Sequence, residues 1–112
     1  MITALLHTFG GQQDLLNPLM QSNLSAQAKA EWFGAWHMIT LLLFGTSYYI
    51  FKNAYSKIQS IETMQQVGYL YMLVSLAFVV SSILHQLLAP QWILLLPIGV
   101  LILIGNKKAK VV

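Results

Sequence analysis

The chain has no cysteine and no arginine, and only three acidic residues, Asp14, Glu31 and Glu62, in 112 positions. Without cysteine there is no disulfide scaffold, no thiolate metal site and no cysteine nucleophile, and the redox compartment stays open. Without arginine there is no bidentate clamp for phosphate or carboxylate. Charged residues make up 8% of the chain, against about 25% in ordinary soluble domains. That is too little polar surface to cover a chain that is 57% hydrophobic, so an ordinary soluble domain is excluded. Disorder, which needs low hydrophobicity and high charge, is excluded as well. Glycine-rich phosphate loops and paired acids within an apolar segment are also missing. A self-sufficient kinase, hydrolase or pump therefore has nothing to work with, and the residues favour a non-enzymatic role.

The six basic residues are all lysines, and the net charge is +3. Lys52, Lys57, Lys107, Lys108 and Lys110 flank apolar segments and form no basic face, so they argue topology rather than nucleic-acid binding. Residues 32–51 carry no Asp, Glu, Lys or Arg, and 63–106 carry none either. A hydrocarbon core of about 30 Å needs about 20 apolar residues. The second stretch is too long for one crossing and breaks at Ala89-Pro90-Gln91. The expectation is an all-α integral membrane helix bundle, a single domain with three full spans at 32–51, 67–88 and 90–106. Pro90 suits a first helical turn, and Pro97 falls inside the last span, where neighbouring helices tolerate it.

The middle loop and the C-terminal tail, 107–112, both carry lysines and are separated by two spans. The positive-inside rule then makes that side cytoplasmic, in a bacterial inner membrane. Trp32, Trp36 and Trp92 mark the outer interface, and Tyr48, Tyr49, Tyr55, Tyr69 and Tyr71 the inner one. The apolar segment 1–9 is about 14 Å long as a helix, half a membrane. It has no basic leader and no small-residue cleavage site, so it is a poor signal peptide. It is expected as a partial or interfacial helix. Residues 10–31 are expected as an outer loop, with Gly10-Gly11 and Asn17-Pro18 as breakers. Ser25 is placed to cap a helix that runs on into 32–51.

His7-Thr8-Phe9-Gly10, then Leu15-Leu16-Asn17-Pro18-Leu19, then Trp36-His37 and a late-helix His85 form a recurring kind of pattern. It resembles a group of small four-helix bacterial integral membrane proteins. In these a first span ends in His-Ser/Thr, a Leu-x-Pro-Leu segment follows, and the second span carries Trp-His. The resemblance implies a fold and no activity. It implies that 1–9 corresponds to the end of a first span whose opening half is missing before Met1. It also leads one to expect proline after His85, where Gln86 stands.

On the expected topology His7, His37 and His85 all fall near the outer surface, on three segments. Gly34, His37, Leu41, Phe44 and Tyr48 share one helical face, and Tyr71, Ser75, Phe78, Ser81, Ser82 and His85 share another. Serines on the second face favour helix contact in lipid, which would turn His85 inward. Three imidazoles suit a transition metal, zinc, copper or iron; two on facing helices suit haem. Trp36, Tyr48 and Ser82 would line such a cofactor, with Asp14 and Glu31 as outer partners or solvated loop charges. A quinone or lipid in a Trp/His notch is a further possibility. The plainer alternative is an accessory subunit of a larger membrane complex, or a homo-oligomer, in which the histidines bond backbone carbonyls and the tryptophans anchor the interface.

Overall fold

The computed structural model describes residues 1–109, which are mostly helical, with no strand among them. The chain forms two compact units, Met1–Lys52 and the remainder from Asn53 onward.

The first unit opens with a helix that runs unbroken over 2–21. It consists of α1 (Ile2–Leu5), two wide π-type turns (Leu6–Gly10 and Gln12–Leu16) and α2 (Asn17–Gln21). The loop expected over 10–31 is therefore mostly helix. The breakers are absorbed by the wide turns. Pro18 cannot donate a backbone hydrogen bond, and its ring crowds the carbonyl four residues back. That carbonyl belongs to Asp14, inside the second wide turn, where the longer hydrogen-bonded ring gives it room. The helix ends at Ser22, which is extended at ψ 170° and whose hydroxyl donates to the Leu19 carbonyl.

Helix α3 (Ala26–Ala54) follows after a short turn. Ser25 caps it as expected: its Oγ accepts from the Ala28 N–H at 3.2 Å, and its carbonyl accepts from Lys29. Thr40 and Thr46 donate back to carbonyls of their own helix, at Trp36 and Leu42. The α-amino group of Met1 donates to Ser47 Oγ at 2.9 Å, and His7 lies against Trp36, so the N-terminal helix runs antiparallel to α3. Ala4, Leu16 and Leu43 are the buried apolar residues of this unit.

The second unit is an antiparallel hairpin of α4 (Ile61–His85) and α5 (Gln91–Ala109). Met64, Gly68, Tyr71 and Ser75 form the buried stripe of α4, at the three- and four-residue spacing of one helix face. Among the described residues of α5, Leu95 and Gly99 are buried. The Asn106 side chain donates to the Ile61 carbonyl at 3.2 Å and ties the end of α5 to the start of α4. Ser75, fully buried, donates to the Tyr71 carbonyl; of the face expected to pack, Tyr71 and Ser75 are buried, Phe78, Ser81 and Ser82 are half-buried, and His85 is exposed. Gln86 closes α4 in the left-handed region at φ 52°. Proline, locked near φ −65°, has no access to that conformation.

Pro97 lies inside α5 as expected, and Pro90 sits just before it, its carbonyl accepting from Ile93. Helix α5 continues through Lys107 to Ala109, into the segment expected as a tail; 110–112 lie outside the described residues.

Among the described residues one helix, α4, is long and apolar enough to cross a membrane by length and composition, with mean hydropathy 2.1. The apolar part of α5, Gln91–Lys107, is shorter. Helix α3 contains the charge-free 32–51 but does not reach the same apolarity. Freedom from charge is not apolarity: Trp36, His37, Thr40, Thr46, Ser47, Tyr48 and Tyr49 dilute its Leu41-Leu42-Leu43 centre.

Candidate functional site

His7, in the first wide turn, lies face to face with Trp36 of α3, with ring centroids 4.1 Å apart and planes 16° from parallel. Its Nε2–H donates to the Trp36 carbonyl over a long 3.4 Å. That carbonyl also accepts from the Thr40 hydroxyl at 3.1 Å. The bond fixes the imidazole as the Nε2–H tautomer and leaves Nδ1 as an acceptor. One turn beyond, Gly11 allows the N-terminal helix to approach the indole edge. A Cβ there would stand 2.6 Å from Trp36 Cη2. Trp36 Nε1 is buried without a hydrogen-bond partner. His37, the next residue along α3, meets Phe33 edge to face with centroids 4.3 Å apart.

The structure thus brings together His7, Trp36 and His37 from the expected set.

His85 occupies the last turn of α4, in the second unit, and is exposed there rather than turned into a packed face. Ser82 is committed to the backbone: its hydroxyl donates to the Phe78 carbonyl at 2.9 Å and accepts from the Ala89 N–H at 3.0 Å. This closes the turn after α4. Tyr48 is exposed. Asp14 and Glu31 are exposed too, and Glu31 accepts from Gln27. Among the described residues no group of three or more His, Asp or Glu side chains is arranged to hold a metal ion.

The second unit has a feature that spacing alone did not reveal. A cavity of about 370 Å³ opens along α4 and α5, lined by Tyr69, Met72, Leu73, Leu76, Val79 and Leu96. All but Tyr69 are apolar aliphatic or thioether side chains. In sequence they belong to a continuous apolar run, where periodicity cannot separate a groove from a packed face. Gly11 was legible only as a breaker, although a glycine facing a tryptophan is also what close helix approach requires.

Comparison with family models, with curated proteins and with solved structures finds no match to this chain.

Proposed function

We propose that this chain is a small membrane-embedded helical protein that acts by association, as an accessory or assembly subunit of a larger membrane complex or of its own oligomer. The supporting observation is α4. It is the most apolar long helix of the chain, yet only 17% of its apolar window is buried. A helix of this composition in the core of a water-soluble protein would be mostly buried. Exposed apolar area costs about 25 cal/mol per Å² in water, and Leu73, Leu76, Ile83 and Leu84 are all exposed. Lipid or a membrane partner supplies the missing burial. On this reading 32–51 and 90–106 are further crossings, and Lys52, Lys57, Lys107, Lys108 and Lys110 set the cytoplasmic side of a bacterial inner membrane.

The histidines support a structural role better than a metal or haem site. His7 already spends one ring nitrogen on a backbone carbonyl and its face on an indole. No ligand group of three accompanies it among the described residues.

Two measurements test this. The protein is expected to stay in the membrane pellet through alkaline carbonate extraction and to elute from mild detergent with a stoichiometric partner or as a defined oligomer. Release by carbonate overturns the reading. In the same detergent, His7→Ala is expected to lower stability by about 0.5–1.5 kcal/mol, the worth of an aromatic pair. His85→Ala should stay within about 0.5 kcal/mol of the parent. Equal losses from His7→Ala, His37→Ala and His85→Ala, together with loss of a co-purifying metal, would instead restore the three-histidine centre.

A further inference from the structure

The groove along α4 and α5 is apolar over most of its length and polar at one end. At that end Gln65 donates to the Tyr69 hydroxyl at 3.1 Å. Tyr69 is the first groove residue along α4 and Val79 the last. Ten residues of helix separate them, about 15 Å of rise, which is the hydrocarbon depth of one leaflet. Gln65 stands one turn beyond Tyr69, about 6 Å further, at the level where headgroups begin.

The same end of the hairpin is cationic. Asn106 bonds the Ile61 carbonyl, so Lys107, the next residue and exposed, lies beside the start of α4. Lys57, also exposed, is in the short connection that enters α4. Glu62 is the one acid here, in the first turn of α4, where it complements the helix dipole. Lysine side chains reach along a helix to place their ammonium groups at a headgroup. A slot with apolar walls, a polar mouth and lysines at the same end of the hairpin matches a molecule with one long apolar chain and an anionic head. Its volume is within the range of small-ligand sites.

We propose that this groove is a binding site for an anionic phospholipid, with an acyl chain along Tyr69, Leu73, Leu76 and Val79. The headgroup phosphate sits at the Gln65–Tyr69 mouth, within the field of Lys57 and Lys107. The lipid comes from the leaflet on the lysine side. The inference rests on the membrane reading above.

The test uses the full chain reconstituted in vesicles of phosphatidylcholine containing one part in three phosphatidylglycerol. Spin-labelled forms of each lipid report its association with the protein. Phosphatidylglycerol is expected to associate about fivefold or more above phosphatidylcholine, the factor that one favourable lysine near an anionic surface carries. Lys57→Gln combined with Lys107→Gln should bring the ratio close to one. Leu76→Trp, which fills the groove, should reduce the bound fraction of both lipids at unchanged helix content, and Val79→Phe serves as a milder second filling. A ratio near one in the parent protein, a ratio that survives loss of both lysines, or bound lipid untouched by both fillings each overturns the site. Failure of the chain to float with vesicles at all would instead remove the membrane reading, and the site with it.

Discussion

A Gly99→Ala variant is expected to lose about 1–3 kcal/mol of hairpin stability, the usual cost of forcing an extra methyl into a packed interface. The added Cβ would stand 2.9 Å from the Gly68 carbonyl oxygen, 3.0 Å from Met72 Cγ and 3.1 Å from the Met72 backbone nitrogen. Two of these three atoms are backbone of α4. They move only if the helices separate, and separation also loosens the buried stripe of Met64, Tyr71 and Ser75. Gly68→Ala meets Leu103 Cγ and Cδ2 at 2.9 Å and Ile102 Cγ2 at 3.3 Å. Those are side-chain atoms, which rotate, so its loss should be the smaller. Gly105→Ala meets nothing within 4 Å. It should be neutral, or stabilising by up to about 1 kcal/mol through helix propensity. Denaturant titration in micelles, followed by helix circular dichroism, ranks the three. A Gly99→Ala loss no larger than that of Gly105→Ala would mean that the helices do not cross at these glycines.

The order of these variants bears on how much of the molecule was legible beforehand. The helical class, the Ser25 cap, Pro97 within the last helix and the packing face of Tyr71 and Ser75 follow from periodicity, capping chemistry and residue size, all local properties. The Gly68–Gly99 contact is not local. Small residues in apolar helices mark close approach, but Gly34, Gly45 and Gly105 carry the same mark and have open space around them. Which glycines meet depends on the register of the hairpin, and that register is set by the Gln86 turn and the Asn106–Ile61 bond. The stretch 10–21 departs from the expected loop for a related reason. Gly10-Gly11 and Asn17-Pro18 break a regular α-helix, yet wide turns keep the segment helical without satisfying the α-helical rule at each residue. Sequence places the three histidines at one expected depth and gives His37 and His85 a helical face, but it gives no face for His7. The wide turn that holds His7 changes its azimuth by an amount that a fixed 100° step does not supply.

Gly11→Ala is the corresponding test in the first unit, and its expected loss is again about 1–3 kcal/mol. The new methyl would stand 2.6 Å and 2.7 Å from Trp36 Cη2 and Cζ2. An indole is rigid beyond two torsions, and this one has the His7 ring stacked on its face. The N-terminal helix must therefore lift. Lifting it stretches the bond from His7 to the Trp36 carbonyl, already 3.4 Å, and strains the contact of the Met1 amine with Ser47. Amide exchange should accelerate across 2–21 and stay unchanged in α4 and α5, because the damage is confined to one compact unit. Gly10→Ala, with nothing within 4 Å, is the matched control. Trp36→Phe removes the benzo ring that reaches Gly11, so Gly11→Ala should cost less in that background. The two substitutions should then couple by about 1 kcal/mol or more, within the range found for residues in direct contact. Strictly additive losses would place Gly11 away from the indole and leave the docking of the N-terminal helix to His7 and the Met1–Ser47 contact.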